Sequence, residues 1–276
     1  MPLKDILMHV DETRACAARL DYAIRLARFH GAHLTGLYVI PPLTVPGYVA
    51  VEFPLEALEA QESNLQEQAG EAQKRFEVAT GEAGISAEWR CEQGHYAPLC
   101  AQSARYADLL ILGQNDVDDP RDSPENAPGE VVLRSGRPVL VVPYIGVPKT
   151  LGENIMVGWD GRRESIRAVN DALPLLRTAV SVKVVSIQDH PSDDTQSPTD
   201  ADVVRHLGRH GVDAEAIISY SGGVDIGNAL LDQVADLNAD LLVMGAWGHS
   251  RLREWVMGGA TRQVLGEMTV PVLMAH

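Results

Sequence analysis

Four glycines near the end of the chain have a spacing that could serve phosphate binding. They are Gly245, Gly248, Gly258 and Gly259, within the stretch GAWGHSRLREWVMGGAT. Glycine has no Cβ, so backbone N–H groups at such positions can approach a phosphate closely. A turn followed by a helix cap would use glycines in the same way. The elements that surround this stretch must decide between the two interpretations.

The net charge limits the classes of partner. The chain has 276 residues, is 45% hydrophobic and carries a formal net charge of −15. An acidic protein repels polyanions, which argues against nucleic acid and anionic membrane surfaces as partners. A small nucleotide that brings its own metal ion is compatible with this charge.

The N-terminal residues and the cysteines predict a cellular location. The start, MPLKDILMHVDETR, reaches charges and a histidine within ten residues, unlike a secretory signal, and no apolar run is long enough to span a bilayer. Cys16, Cys91 and Cys100 lack C-x-x-C spacing, which predicts neither a disulfide framework nor a zinc site. We expect a cytoplasmic protein whose cysteines are small apolar side chains in or near the core.

The second half of the chain repeats segments of the first half in the same order. KDILMHVD at 4–11 returns as ENIMVGWD at 153–160, ADLLILG at 107–113 as ADLLVMG at 239–245, and RPVLVVP at 137–143 as VPVLMAH at 270–276. Such a repeat predicts an internal duplication. A stretch with Pro and Gly at 144–154 separates the halves, so we predict domains at residues 1–147 and 148–276.

Apolar runs alternate with segments of helical period in each half. In the second half this pattern predicts strands at Ile155–Gly158, Val182–Ile187, Ala214–Ser219, Leu241–Met244 and Val270–Met274. Helices are predicted at Arg163–Arg177, Asp200–His210, Ile226–Leu237 and Thr261–Glu267. Continuous apolar strands indicate a parallel sheet with helices on both faces. The predicted fold class is α/β, with two tandem doubly wound, Rossmann-like domains.

This fold gives the glycines a shared location. Ligands of doubly wound domains bind at the carboxyl ends of the strands, where Asp160, Ile187, Ser221 and Gly245 fall. Residues 258–261 precede the last predicted helix, so their N–H groups point from its positive end. The two glycine clusters would therefore flank one bound phosphate chain.

In this arrangement the sequence resembles the universal stress protein family, whose ATP-binding members carry G-x-x-G, nine residues and then G-[S/T]. Gly248 and Gly258 enclose HSRLREWVM, which is nine residues. The resemblance extends over essentially the whole chain and implies a tandem-domain member that binds ATP, ADP or AMP with Mg²⁺. It implies that Asp160 holds the adenine or ribose end and that Ile187 offers main-chain atoms to adenine. The phosphates would be lined by Gly245, Gly248, Gly258, Gly259 and Ala260.

Among the residues beside the expected phosphates, Gly259 differs from the family pattern and His249 has two interpretations. Gly259 stands where the family has Ser or Thr, which removes a hydroxyl but keeps the N–H, at a cost of roughly 1 kcal/mol in binding. Thr261 is a substitute source of a hydroxyl. His249 either donates to phosphate when protonated or caps the turn.

The corresponding part of the first half lacks the glycine spacing. Asp116 stands at the position of the second glycine, Glu130 at the hydroxyl position, and the connector carries Asp118, Asp119, Asp122 and Glu125. Carboxylates repel a triphosphate, so we predict that the first domain does not bind ATP in the family manner. The stretch has no 12-residue calcium-loop pattern, and we interpret it as a solvated, disordered loop rather than a metal site.

Two further motifs have a functional and a structural interpretation. SGGVD at 221–225 resembles the loop of ATP pyrophosphatases but follows the wrong strand, so we favour a turn with Asp225 near a helix N-cap. His206 and His210 have zinc-ligand spacing without an evident third ligand, and a solvated helix face is favoured. We therefore assign no metal site.

Two classes of function are compatible with these residues. One is an ATP-binding regulatory protein of the stress response, with the nucleotide held mainly by the second domain. The other is a slow ATP hydrolase or adenylate-forming enzyme, and a nucleotide-free scaffold is a third alternative. No nucleophile with a paired base is evident beside the expected phosphates, so binding is favoured over turnover and no catalytic residue is assigned.

The repeat also predicts how the halves associate. Val139–Val142 and Val270–Met274 are short apolar strands at sheet edges, which would be exposed if unpaired. We predict that they pair antiparallel, so that one chain forms a pseudo-twofold unit. Trp247 and Trp255 either pack onto their own domain or meet another subunit, and a homo-oligomer through Trp255 is a further hypothesis.

Overall fold

The computed structural model describes residues 2–42, 55–123, 127–188, 198–247 and 259–276. Strands and helices alternate in each half. The first half contains β1 (Asp5–Val10), α1 (Cys16–His30), β2 (His33–Ile40), α2 (Leu55–Ala83), β3 (Ala87–Gln93), α3 (Tyr96–Ser103), β4 (Leu109–Gly113), α4 (Pro128–Ser135) and β5 (Val139–Val142). The second half contains β6 (Asn154–Gly158), α5 (Arg163–Leu176), β7 (Ser181–Gln188), α6 (Pro198–Arg209), β8 (Ala214–Tyr220), α7 (Ile226–Asp236), β9 (Leu241–Gly245), α8 (Gly259–Glu267) and β10 (Val272–Ala275).

The strands of the described residues form one ten-stranded sheet in the order β3-β2-β1-β4-β5-β10-β9-β6-β7-β8. Neighbouring strands are parallel except at the centre, where β5 and β10 are antiparallel and Val141 lies opposite Val272. The predicted pairing of the two last strands is therefore confirmed. It joins the halves about a pseudo-twofold axis and leaves β3 and β8 at the outer edges.

Both faces of the sheet are buried across the junction. Ile6, Met8 and Val10 of β1 pack into the core on one face, while Leu7 packs into the core on the other, as the alternation of a strand requires. Each of these two cores contains residues of β5 and of β10. The apolar core thus passes without interruption from one half to the other.

The duplication is visible in a repeated hydrogen-bond pattern. Asp108 before β4 accepts from Asp5 N at 3.1 Å, and its counterpart Asp240 before β9 accepts from the equivalent Asn154 N at 2.9 Å. Each aspartate belongs to one copy of the repeated ADLL sequence and fixes the start of the neighbouring strand. The repeated residues therefore have the same structural role in each half.

Some predicted bounds and environments are wrong. The last strand begins at Val272 rather than Val270, and the preceding Pro271 has no N–H to offer a ladder. The last helix begins at Gly259, two residues before the predicted Thr261. Cys16 and Cys100 are buried as expected, but Cys91 is exposed on the edge strand β3.

Candidate functional site

A cleft of about 270 Å³ opens at the carboxyl ends of β6 and β9 in the second half. Its walls bring together six of the predicted site residues, namely Asp160, Ile187, Gly245, Gly259, Ala260 and Thr261. Gly248, His249 and Gly258, also predicted for this site, lie outside the described residues, as does Trp255. Ligand pockets commonly measure about 300–1,000 Å³, so the described walls enclose the volume of a small ligand group.

The cleft occupies the topological switch point of the half. From β6 the chain crosses to β7 on one side, whereas β9 lies on the other side of β6. The helices that follow β6 and β9 therefore diverge, and a crevice remains between the strand ends. The predicted location of the ligand site at the strand ends thus coincides with a cleft.

Gly245 is required by close packing at the end of β9. A Cβ built on Gly245 would lie 2.5 Å from Ser165 N and 2.8 Å from Glu164 Cβ, both in the first turn of α5. Only glycine lets α5 begin this close to the strand. Gly245 therefore shapes the cleft by drawing the positive end of α5 against it, in addition to the phosphate-lining role that the sequence predicts.

Asp160 lies in the turn between β6 and α5. Its Oδ1 accepts a hydrogen bond from Arg162 N at 3.0 Å, and Ser165 Oγ donates to Arg162 O at 2.9 Å. The Asp160 side chain is half-exposed, 51%, with Oδ2 3.9 Å from Arg162 Nε. The carboxylate is thus fixed at the mouth of the cleft and accessible to a ligand.

The backbone of Ile187 faces the cleft. Val185 O accepts from Trp159 N at 2.9 Å on the β6 side, and Gln188 O accepts from Ser221 N at 2.8 Å on the β8 side. Because backbone groups alternate between the two sides of a strand, the N–H and C=O of Ile187 point to the β6 side. β6 ends at Gly158, opposite Val185, so these groups extend past the neighbouring strand.

The start of α8 closes the opposite wall. Gly259, Ala260 and Thr261 line the cleft, and Thr261 Oγ1 accepts a hydrogen bond from Trp247 N at 3.2 Å. The Thr261 side chain is buried, so its hydroxyl first serves to hold the end of the β9 segment against α8. The phosphate contact that the sequence suggests for this hydroxyl stays a prediction.

Two tryptophans of the cleft were not predicted as ligand-site residues. Trp159 and Trp247 line it, and each has a buried indole N–H with no hydrogen-bond partner among the described residues. Trp247 also has a left-handed backbone, with φ of 60°, a strained conformation for a residue with a side chain. Its ring packs edge-on against His276, with ring centroids 6.2 Å apart.

The sequence motifs did not predict the apolar residues of the cleft, because these residues are not part of any motif. Ile226 and Leu230 of α7, together with Val185 and Met244, supply the apolar wall. Asp225 is the N-cap of α7 and accepts from Gly227 N at 2.8 Å, which confirms the turn predicted for SGGVD. The positive φ angles of Gly222 and Gly223 make the same turn.

The equivalent space in the first half is filled by its own side chains. His9, Arg19 and Tyr96 stand where the second half has Gly158, Ala168 and Ile226. The Arg19 guanidinium bonds to Asp11, the counterpart of Asp160, and occupies the space that a Cβ on Gly113, the counterpart of Gly245, would need. His9 packs edge-on against Tyr96 at 4.7 Å. Arg19, His9 and Tyr96 thus occupy the place in the first half that corresponds to the cleft of the second.

The ion pair between Asp11 and Arg19 shifts the pKa of both groups. Burial raises the pKa of the Asp11 carboxyl, but the charge of Arg19 and a hydrogen bond from His9 outweigh it and hold the pKa below its ordinary value. For Arg19, burial lowers the pKa, and the Asp11 carboxylate more than compensates. Both groups are therefore charged in the folded protein.

The described part of the acidic stretch after β4 is ordered by hydrogen bonds, which corrects the prediction of a solvated, disordered loop. Residues 114–123 are described, and Asp116 and Asp119 are buried. Asp116 Oδ2 accepts from Arg14 Nε at 2.7 Å, and Asp119 Oδ2 accepts from Arg14 N at 2.7 Å. Hydrogen bonds from the Arg121 side chain and the Arg14 backbone lower the pKa of Asp119 to about 2. Asp116 and Asp119 thus hold this segment to Arg14 and Arg121.

Within the described ranges, no group of three or more His, Cys, Asp or Glu side chains is placed to hold a metal ion. The rings of His206 and His210 lie 4.6 Å apart, and Arg177 Nη2 is 3.3 Å from His210 Nδ1. No helix of the described residues is long and apolar enough to cross a membrane.

Fold and cleft together define a tandem α/β protein with two Rossmann-like repeats, of which the second has an open cleft at its switch point. The family model "Universal stress protein family" matches residues 2–143 and 152–276. The chain therefore belongs to the universal stress protein family.

Solved structures of similar architecture cover nearly the whole chain. A universal stress protein from Archaeoglobus fulgidus DSM 4304 is 17% identical with a TM-score of 0.75, covering 98% of this chain and 97% of that one. A putative universal stress protein from Pseudomonas aeruginosa UCBPP-PA14 is 16% identical with a TM-score of 0.63, covering 99% and 93%. At such identity the likeness concerns the fold alone.

A curated relative matches over a short segment. Universal stress protein Slr1230 from Synechocystis is 49% identical over 45 residues, which are 16% of this chain and 16% of that protein. This match supports the family assignment and does not extend to the rest of the relative.

Proposed function

We propose that this protein binds one adenine nucleotide, ATP, ADP or AMP, in the cleft of its second domain and acts as a nucleotide-dependent regulatory protein of the stress response. The observation that carries the proposal is the contrast between the repeats. The second domain keeps small residues, Gly158 and Ala168, where the first fills the same space with His9 and Arg19. Family membership supports the choice of ligand class.

The adenine would lie against the apolar wall with its polar edge on Ile187. The N–H and C=O of Ile187 offer a donor and an acceptor beyond the end of β6, which matches the paired acceptor and donor on the edge of adenine. Val185, Leu230 and Met244 provide apolar contacts to the base. Asp160 would accept from the ribose hydroxyls at the mouth.

The phosphates would lie at the beginning of α8. Gly259 and Ala260 line the cleft there, and a helix N-terminus attracts anions through its free N–H groups and its dipole. The sequence predicts that Gly245, Gly248, His249 and Gly258 also contact the phosphates, and the last three lie outside the described residues. The cleft also contains the carboxylates of Asp160 and Glu164, which favour a nucleotide that carries Mg²⁺ over the free anion.

Isothermal titration calorimetry with ATP and Mg²⁺ tests the proposal. We expect about one site per chain, and Gly158→His, which gives the second domain the residue of the first, should remove binding. His9→Gly in the first domain is the matched control and should leave binding by the second domain intact. Two equivalent sites, or binding that survives Gly158→His in a folded protein, would contradict the proposal.

Turnover is measured in the same samples by phosphate release from ATP. A regulatory binding protein should retain the bound nucleotide over many hours, whereas a hydrolase would convert a molar excess of ATP to ADP. Nucleotide released from protein purified without added ligand and identified by mass spectrometry would name the natural occupant.

A further inference from the structure

The first domain contacts the last helix of the second domain through one buried amide side chain. Gln114 follows β4 and is 5% exposed. Its Nε2 donates to Leu265 O at 3.0 Å and to Gly266 O at 3.1 Å, both in the last turn of α8. The last carbonyls of a helix have no partners within the helix, so Gln114 acts as a C-terminal cap supplied by the other domain.

Gln114 is itself held in place by hydrogen bonds to its side-chain oxygen and to its backbone N–H. Its Oε1 accepts from Tyr144 N at 3.2 Å, and its backbone N–H donates to Val142 O at 2.8 Å at the end of β5. The side chain therefore uses both amide hydrogens and its carbonyl oxygen. An amide in this position is anchored to the first domain and cannot follow α8 if that helix shifts.

The opposite end of the same helix forms the wall of the proposed nucleotide cleft. Gly259, Ala260 and Thr261 begin α8, whose nine residues separate the cleft from the Gln114 contact. Along its side, α8 packs closely on α7, where a Cβ on Gly227 would lie 2.6 Å from Gln263 Cβ. With its side held by α7 and its end by Gln114, α8 has a fixed position along its own axis.

The amide contact has no counterpart in the opposite direction. The position equivalent to Gln114 in the second half is Ala246, which is buried and has no amide to cap α4 of the first half. The second domain instead contacts the end of α4 through Arg167 of α5, whose Nη2 donates to the backbone O of Gly136, the residue that follows that helix. The Gln114 contact differs from it because it is made to α8, the helix that lines the cleft.

We infer that Gln114 is a positioning residue of the nucleotide site, through which the first domain fixes α8 and thereby sets the nucleotide affinity of the second domain. The inference rests on the proposed function for its affinity effect, whereas its effect on α8 does not require a ligand. It gives the first domain, whose own cleft is filled, a role in binding by the second.

The test compares Gln114→Ala and Gln114→Glu with the matched control Arg25→Ala. Arg25 also donates two side-chain hydrogen bonds to backbone carbonyls near the domain boundary, Lys149 O at 2.8 Å and Pro148 O at 3.2 Å, but does not touch α8. Gln114→Glu keeps the size of the side chain and, at neutral pH, replaces the donor with a carboxylate that repels both carbonyls of α8.

Hydrogen exchange of the α8 amides is measured without nucleotide, and the ATP–Mg²⁺ dissociation constant is measured by calorimetry. Loss of such a contact corresponds to about fivefold weaker binding, and we expect this for Gln114→Ala, at least as much for Gln114→Glu, and no change for Arg25→Ala. Exchange in α8 should be faster in both Gln114 variants only.

The outcomes distinguish failure of the positioning role of Gln114 from failure of the proposed nucleotide function. Unchanged exchange in α8 would overturn the positioning role, and faster exchange with an unchanged dissociation constant would overturn its influence on binding. If the unmodified protein does not bind ATP, the proposed nucleotide function fails and the claim that Gln114 sets affinity fails with it, while faster α8 exchange would still show that the first domain fixes the helix.

Discussion

Asp11 and Arg19 form an ion pair in the first domain at the place where the second domain has its open cleft, and the Arg19 side chain is 2% exposed. In the second domain Ala168 stands at the position of Arg19, and the cation near Asp160, the counterpart of Asp11, is the half-exposed Arg162, with Nε 3.9 Å from Asp160 Oδ2. The Arg19 guanidinium lies between Asp11 and Gly113, the counterparts of Asp160 and Gly245. The same place is therefore filled by an ion pair in one half and open in the other.

Arg19→Ala should strongly destabilise the protein. It would leave the Asp11 carboxylate, which is 18% exposed, without its buried cation, and breaking a buried pair by removing one partner costs about 3–5 kcal/mol. The free energy of unfolding from urea titration measures the effect. Arg19→Met combined with Asp11→Asn removes both charges and should recover most of the loss. A double variant as unstable as Arg19→Ala would show that volume, not the unpaired charge, dominates.

The same pair predicts a contribution to acid sensitivity. The pKa of Asp11 is lower in the folded protein than its ordinary value of 3.8, so the unfolded state binds a proton first as the pH falls. The stability from Asp11 is therefore complete above about pH 5 and is lost below about pH 4, as the pH falls toward the folded pKa. Urea titrations between pH 2 and 7 should show a shallower acid-side slope for the double variant than for the unmodified protein. Equal slopes would exclude Asp11 as a contributor.

The main features of the fold follow from local sequence patterns. Continuous apolar runs such as LLVM predict buried parallel strands, and the repeated Asp108 and Asp240 have the same hydrogen bonds in each half. The pairing of β5 with β10 could be predicted because each is a short apolar strand that an internal duplication leaves at an edge. The cleft residues at strand ends follow from the same topology.

The features that could not be predicted depend on contacts between residues far apart in sequence. Asp116 looked like part of a solvated acidic loop because its partner, Arg14, is 102 residues away. Gln114 and Leu265 are 151 residues apart and share no motif. Composition indicates only that an arginine is present, whereas its burial beside Asp11 depends on the packing of α1 against β1 and β4.

Gly259→Ser should increase nucleotide affinity. Among the described residues, a Cβ at this position would meet Asp225 Oδ2 alone, at 3.6 Å, which is an ordinary contact that leaves space for a serine. Its hydroxyl restores the donor that the family pattern has after the second glycine, and one neutral hydrogen bond corresponds to about fivefold tighter binding. Calorimetry with ATP and Mg²⁺ measures the change, and Gly259→Ala controls for the loss of glycine flexibility. A serine variant no tighter than the alanine variant would mean that the hydroxyl bonds to Asp225 instead.

The antiparallel junction predicts that the two domains unfold together. Leu140 of β5 lies opposite Leu273 of β10, and both side chains are buried in the core that spans the halves. Leu273→Ala should lower the free energy of unfolding by about 2–5 kcal/mol, since it removes buried methyl groups and leaves a cavity at the junction.

Calorimetry distinguishes a shared core from two independent ones. Because the sheet and both of its apolar faces continue across β5 and β10, we expect one transition whose calorimetric and van't Hoff enthalpies agree. In Leu273→Ala the whole transition should move to lower temperature. Leu133→Ala on the exposed side of α4 is the matched control, since its side chain is 42% exposed and its loss should matter far less. Two separate transitions, with only one moved by Leu273→Ala, would show that the domains are stable independently and that the strand pairing contributes little to their cooperation.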